Sequence, residues 1–168
     1  LPWISTLFAR AGQVVGTPDN CRRLLERGNV VLVFPEGVRG IGKTWERRYQ
    51  LQRFGTGFMR LALATKSPIL PVAVVGAEEQ APAFANVAPL AQLLGVPSFP
   101  ITPTFPLFGL FGLLPLPTKY RLVFGPALRF EGGGDEDEGV IEAHVEVVRS
   151  SIAAQLERGL AAREGVFR

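Results

Sequence analysis

The chain has 168 residues, of which 47% are hydrophobic, and it carries a formal net charge of +3. A chain of this length is one domain or a large piece of one, and we predict a single partial domain over residues 1–168. One cysteine excludes an internal disulfide framework. The first residues lack a signal-peptide pattern, and no apolar run long enough to span a membrane is free of proline.

The charge is unevenly distributed along the chain. Residues 22–66 carry ten Lys or Arg against three Glu, a net charge of +7, whereas the remainder has eight basic and twelve acidic residues, a net charge of −4. A basic segment beside apolar sequence favours anionic lipid or phosphate groups, including those of coenzyme A. No aromatic ladder or RNA-binding signature accompanies the charge, so nucleic acid is not an expected partner.

The predicted elements alternate between strands and helices. In chain order they are a strand at 12–16, a helix from Thr17-Pro18-Asp19 to Gly28, a strand at 30–34, a functional loop at 35–54, a helix at 57–66 and a strand at 68–75. The continuous apolar run at 30–34 is typical of a strand buried on both faces. We therefore predict an α/β fold with a central, mostly parallel sheet flanked by helices.

Residues 99–117 form an unusual apolar segment, with no charge, five prolines and four phenylalanines. The prolines argue against a transmembrane helix, because each removes a backbone donor that lipid would leave unsatisfied. Two readings remain open. The segment is either a loop folded under the core or an apolar flap that dips into a bilayer or lines an acyl-chain channel.

The last third of the chain predicts a strand at 120–124 and an amphipathic helix. The apolar stripe of that helix repeats at spacings of three and four, at Ile141, Val145, Val148, Ile152 and Leu156. The acidic run at 135–138 indicates the start of the helix, and a metal site is the alternative.

One heptapeptide carries the clearest chemistry: Phe34-Pro35-Glu36-Gly37-Val38-Arg39-Gly40. Arg39 is suited to a two-point grip on a phosphate or carboxylate, and Glu36 to ordering that Arg or accepting a bond from a substrate hydroxyl. Gly37 allows positive φ and close substrate approach. In open α/β sheets sites lie beyond the carboxyl ends of strands, where both this loop and the turn after Val75 are expected. A structural salt bridge is the alternative interpretation.

Residues 34–40 are similar to the Phe-Pro-Glu-Gly-Thr-Arg-Ser motif of the lysophospholipid and glycerol-phosphate acyltransferase superfamily, with Val38 for Thr and Gly40 for Ser. Residues 68–74 look like the later proline-bearing strand motif of that superfamily, at a matching separation. Residues 50–55, 76–79 and 114–117 resemble the branch that includes monoacylglycerol and diacylglycerol acyltransferase-like members.

The resemblance implies fatty acyl transfer from acyl-CoA or acyl carrier protein to a hydroxyl of a glycerolipid acceptor. It implies a peripheral or monotopic protein at the cytoplasmic face of a membrane, and no cofactor besides acyl-CoA as co-substrate. The implied general base is a His followed by four residues and an Asp, which activates the acceptor hydroxyl. The substrate-binding residues that it implies are Phe34, Pro35, Glu36, Gly37, Val38, Arg39, Gly40 and Lys43.

The chain departs from the superfamily pattern in two places. Its single histidine, His144, is followed at the fifth position by Arg149, so no catalytic residue is assigned, and His-x4-Asp is expected upstream of Leu1 in an N-terminally truncated chain. No Arg lies at residues 12–17 to hold a glycerol phosphate, which favours a neutral glyceride or another alcohol as acceptor. A non-catalytic lipid-binding or membrane-docking relative is the alternative. A serine hydrolase is disfavoured, because the Gly-x-Ser-x-Gly elbow is absent.

Overall fold

The structure is a computed structural model that describes residues 16–41, 43–87, 89, 92 and 99–165. Its helices are α1 (Pro18–Glu26), α2 (Val38–Ile41), α3 (Gly57–Ala64) and α4 (Glu138–Ala161), and its strands are β1 (Val72–Val75), β2 (Ala85–Asn86), β3 (Pro100–Ile101) and β4 (Arg121–Phe124). Short 3-10 turns occur at Trp45–Arg47, Ala77–Glu79 and Gly109–Leu113.

The predicted ends of α1 are confirmed. The Thr17 hydroxyl accepts a bond from the Asn20 amide at 3.4 Å, and Pro18 occupies the first helical position, where a missing amide costs nothing. Gly28 follows the helix with a φ of +76°, the left-handed conformation that commonly ends a helix. The helix predicted at 57–66 and the amphipathic helix predicted in the last third of the chain are also present, as α3 and α4.

Helix α4 organises the core. The buried residues of its predicted stripe are Ile141, Val145, Val148 and Leu156, and Ile152 is half-buried. The first three pack with Phe54, Met59 and Leu63, and Leu156 packs with Ala73 and Val75 of β1. One face of α4 thus joins α3 and β1 into a single packed unit.

The sheets are small and antiparallel. Strands β1 and β4 pair from Val72 opposite Phe124 to Val75 opposite Arg121, and β2 pairs with β3. The predicted central parallel sheet is therefore corrected for the described residues to a mixed α/β fold with two two-stranded antiparallel sheets. Helix α4 covers the face of the first sheet that carries Ala73 and Val75.

The predicted buried strand at 30–34 is wrong for this structure. The segment joins no ladder among the described residues, and the side chain of Val30 is 97% exposed. A strand buried on both faces needs a neighbour at its edges and cover above and below, whereas β1 pairs only with β4 in the described part of the chain. The predicted strand at 12–16 falls on residues outside the described ranges, apart from Gly16.

The acidic run serves the start of α4. Glu136 accepts bonds from the Gly133 and Gly134 amides at 2.6 and 2.9 Å, and Glu138 forms an ion pair with Arg60. Across the described ranges, no group of three or more His, Cys, Asp or Glu is placed to hold a metal ion. Helix α4 begins at Glu138 with Asp137 at its N-cap position, so the helix-start interpretation of residues 135–138 is confirmed.

Candidate functional site

Residues 34–40 form a tight turn followed by the short helix α2. The Gly37 amide donates to the Phe34 carbonyl at 3.0 Å, and Gly37 has a φ of +58°. Glycine adopts this left-handed conformation without steric penalty, so the positive φ expected at Gly37 is confirmed. Phe34 is exposed and Pro35 is half-buried, and the Pro35 carbonyl accepts a bond from the Gly55 amide at 2.9 Å.

Glu36 braces the loop that follows this turn. Its Oε1 accepts a bond from the Gln52 amide at 2.6 Å, and its Oε2 lies 3.0 Å from Lys43 Nζ. Both carboxylate oxygens are therefore engaged within the chain. Because Gln52 stands near the end of the loop and Glu36 at its start, this one side chain ties the two ends together.

Lys43 lies between two carboxylates. Its ammonium is 3.0 Å from Glu36 and 2.9 Å from Glu78, and only 6% of its side chain is exposed. A cation at this depth is held by charge-assisted bonds to both acids. The structure thus gives Lys43 a structural partner on each side, and its substrate contact stays a prediction.

Arg39 is the free cation of the motif. It lies on α2 and is exposed, and it makes no hydrogen bond or ion pair within the described part of the chain. Its guanidinium is therefore available to an anion from outside, on a helical turn whose base is fixed by Glu36 and Lys43. Glu36 and Arg39 consequently have different structural roles, because one is bonded inward and the other is exposed to solvent.

Gly40 permits the close approach of Glu36 to α2. A Cβ at Gly40 would lie 2.6 Å from Glu36 Oε2, the oxygen that pairs with Lys43. A larger residue would have to displace a carboxylate that is held on both sides. The departure from the Ser of the superfamily motif thus fits the local packing.

The second wall of the site is the 3-10 turn after β1. Gly76 begins it with a φ of +106°, and its amide donates to the Tyr49 hydroxyl at 2.8 Å. Glu78 bonds Lys43 through one oxygen and accepts from the Tyr49 amide through the other. Burial raises the pKa of the Tyr49 phenol, so this bonding group stays neutral. We refer to Glu36, Lys43, Tyr49 and Glu78 as the loop frame.

Glu79 links the same turn to the end of α4. Its side chain is 1% exposed, and both of its oxygens lie 2.6–2.7 Å from Arg163 Nη1. Hydrogen bonding to Glu79 raises the pKa of Arg163, whose guanidinium also lies over the Tyr49 ring at 5.7 Å. Two consecutive acids thus bond in two directions, Glu78 to the loop and Glu79 to Arg163 just beyond the end of α4.

The structure brings together the two segments expected at one edge, since Lys43 bridges the loop after Phe34 and the turn after Val75. Sequence reasoning assigned no role to Tyr49, Glu78 or Arg163. A role for Glu78 could have been predicted, because two consecutive acids shortly after a buried strand need bonding partners. Nothing in the sequence singles out Tyr49 or Arg163.

His144 lies apart from the contacts of the loop frame. Its ring makes a tilted contact with Phe130, with centroids 4.9 Å apart, and the residue is half-buried on α4. Its buried Nδ1 has no hydrogen-bond partner within the described residues. No acid is positioned by sequence to orient it as a general base, and the structure adds none through hydrogen bonding there.

Comparison with known proteins gives two kinds of match. The chain is 42% identical to an uncharacterized protein of Mycobacterium leprae and 43% identical to one of Mycobacterium tuberculosis, each over 171 aligned residues. The alignments cover 99% of this chain but 47% and 48% of those relatives, so the chain spans about half of their length. No solved structure matches the chain significantly.

The family comparison covers the part of the chain that contains the turn at 34–40 and ends with β1. Residues 2–75 match the model of the family described as Acyltransferase. That range holds the motif, the loop frame up to Tyr49 and the strand before Glu78. Residues 2–75 of this chain are thus similar to the acyltransferase family, in agreement with the resemblance of residues 34–40 to the motif of the lysophospholipid and glycerol-phosphate acyltransferase superfamily.

Proposed function

We propose that the full-length protein transfers a fatty acyl group from acyl-CoA or acyl carrier protein to a hydroxyl of a glycerolipid acceptor at a membrane surface. The observation that carries the proposal is the exposed side chain of Arg39, which has no ion-pair partner among the described residues and lies on the turn whose Glu36 pairs with Lys43. An exposed cation on a fixed turn suits recognition of a phosphate, which acyl-CoA supplies and some acceptors share.

In the proposed reaction the acceptor oxygen attacks the thioester carbonyl carbon, the carbon–sulfur bond breaks, and the thiol of the carrier leaves. The hydroxyl proton passes to a general base, which then gives it to the departing sulfur. The superfamily uses His-x4-Asp for that step, and we propose that this pair lies in the part of the full-length protein outside this chain. The residues of this chain then contribute binding and orientation, which lower the entropic part of the barrier.

The acceptor is proposed to be a neutral glyceride. Residues 12–17 contain no Arg to hold a glycerol phosphate, and Arg39 is the exposed cation on the motif. If Arg39 contacts the phosphates of coenzyme A, no strong cation remains in the motif for a phosphorylated acceptor. A phosphate-bearing acceptor would then be used less well than its neutral counterpart.

The direct test is acyl transfer by the complete protein from radiolabelled acyl-CoA, with monoacylglycerol, diacylglycerol and lysophosphatidate offered separately. The expected result is labelled product with a neutral glyceride and little with lysophosphatidate. Preference for lysophosphatidate would contradict the assignment of the acceptor. Absence of transfer to every acceptor, together with retained binding to lipid vesicles, would favour a non-catalytic lipid-binding relative.

A further inference from the structure

The uncharged segment at 99–117 is folded on itself in the structure. Thr104 is its centre, since its carbonyl accepts from the Phe108 amide at 2.8 Å and its hydroxyl donates to the Gly112 carbonyl at 2.9 Å. Gly112 is buried directly against Thr104, where a Cβ would lie 2.2 Å from the Thr104 carbonyl oxygen. Internal bonds thus fix a compact loop rather than an extended arm.

Large apolar side chains project outward from this loop. Leu107, Phe108, Phe111 and Leu114 are 61–81% exposed, and Phe84 on the neighbouring segment is 61% exposed. We define these five residues as the apolar patch. Exposed apolar residues grouped in this way on a protein surface typically mark an interaction site.

The patch is tied to the candidate site by backbone bonds. The Phe84 amide donates to the Ile101 carbonyl at 2.8 Å, and the Leu116 amide donates to the Gln80 carbonyl at 2.7 Å. Gln80 follows directly on Glu78 and Glu79, so both ends of the segment are fastened just beyond the loop frame. A surface that binds the apolar patch would therefore lie beside the 3-10 turn Ala77–Glu79, which contributes Glu78 to the loop frame.

Basic side chains border the patch. The Trp45 amide donates to the Ala83 carbonyl at 2.7 Å, which sets the 3-10 turn Trp45–Arg47 next to Phe84. Arg47 is exposed without an ion-pair partner among the described residues, and Arg48 lies 4.3 Å from the Trp45 ring centroid. Lys119, exposed and similarly unpaired in the described ranges, lies two residues after the segment ends.

The border has a net positive charge. Glu46 lies on the same turn and offsets one of the two arginines, which leaves Lys119 and the other arginine in excess. An apolar centre with cations and a tryptophan at its border matches the order of a bilayer interface, in which acyl chains lie beneath anionic headgroups. The net positive charge of this border also disfavours a basic protein partner.

We infer that the apolar patch inserts into the surface of an anionic bilayer, with Arg47, Arg48 and Lys119 on the lipid headgroups, and that this contact brings the loop frame to the membrane. Only the purpose of this membrane contact, which is to bring the site to a lipid substrate, rests on the proposed function. The patch fits a bilayer better than an acyl-chain channel, because a channel wall surrounds its ligand whereas these side chains are exposed on the outside of a turn.

Cosedimentation of the complete protein with phosphatidylcholine vesicles, with and without phosphatidylglycerol, tests the docking. Phe108→Ser and Phe111→Ser should each lower vesicle partitioning about 10-fold, and the pair about 100-fold. Arg47→Gln and Lys119→Gln should each lower partitioning about fivefold on anionic vesicles and leave the neutral ones unchanged. The matched control is Val147→Ser, an exposed apolar residue on α4 away from the patch.

Unchanged partitioning of a folded Phe108→Ser/Phe111→Ser protein would overturn the inference. So would a change in acyl-chain-length preference at unchanged vesicle binding, which would assign the patch to a channel, or a loss of self-association in gel filtration as the sole effect. The cosedimentation assay measures vesicle binding and does not depend on acyl-transfer activity. Vesicle binding that depends on the patch without acyl transfer would sink the proposed function alone, and acyl transfer with patch-independent binding would sink the docking alone.

Discussion

The Nζ atom of Lys43 lies 3.0 Å from Glu36 Oε2, and only 6% of the Lys43 side chain is exposed. Lys43→Met keeps the length of the side chain but leaves Glu36 and Glu78 facing each other without their cation. We expect the complete protein to lose about 2–4 kcal/mol of unfolding free energy, since unpaired, largely buried carboxylates are costly. Urea denaturation checks this as a lowered midpoint at unchanged slope. Lys66→Met, at an exposed position, is the control, and equal midpoints for the two variants would contradict the frame.

Gly40→Ala tests the contact between α2 and Glu36. The added Cβ would stand 2.6 Å from Glu36 Oε2, so the carboxylate should shift away from Lys43. We expect a loss of about 1–2 kcal/mol of stability and a lowered kcat/KM. Gly139→Ala on α4 meets nothing within 4 Å and should be neutral or slightly stabilising. A Gly40→Ala protein as stable as the Gly139→Ala protein would refute the close approach.

The Glu79–Arg163 pair should couple the turn after β1 to α4. A double-mutant cycle with Glu79→Gln and Arg163→Met is expected to give a coupling energy of about 2–3 kcal/mol, because the Glu79 carboxylate is buried. The same cycle on Glu146 and Arg149, which are exposed, should give below about 0.5 kcal/mol. Similar values from thermal or urea unfolding of both sets would show that burial does not strengthen the first pair.

Stability should fall in acid partly through Glu136. Hydrogen bonds from its own amide and that of Gly133 lower its folded pKa below the ordinary value of 4.5. A lowered folded pKa means that the contribution is present above the unfolded pKa and is lost as pH falls through the folded pKa. Glu136→Gln should therefore flatten the rise of the urea midpoint with pH below about pH 5. An identical pH profile in wild type and variant would show that these bonds do not favour the ionised form.

Local sequence signals predicted α1, α3 and α4, and the strands β1 and β4. The cap of α1 and the stripe of α4 are set by residues close in sequence, which periodicity and capping chemistry reveal. The prediction of a buried strand at 30–34 was wrong because an apolar, β-branched segment only indicates that it could be buried. Whether it pairs as a strand depends on neighbouring segments elsewhere in the chain. Val30 remains almost fully exposed in the described structure.

The site was predictable in part. The sequence of residues 34–40 was enough to predict the positive φ at Gly37 and the cation Arg39, because glycine conformation and charge are local properties. The partners of Glu36 were not predictable, since Gln52 and Lys43 reach it through the irregular loop that follows. Arg163 is farther still, 84 residues from Glu79, and no spacing rule connects them.

Arg39 is proposed to bind a substrate anion while Glu36 and Lys43 hold its turn in place. The most direct measurement is the acyl-transfer kinetics of Arg39→Ala in the complete protein, beside Arg27→Ala as an exposed arginine of the same basic segment. We predict that kcat/KM falls 10- to 1000-fold for Arg39→Ala, on the order of 1.4–4 kcal/mol, with stability unchanged and Arg27→Ala close to wild type. Wild-type kinetics in a stably folded Arg39→Ala protein would contradict the account.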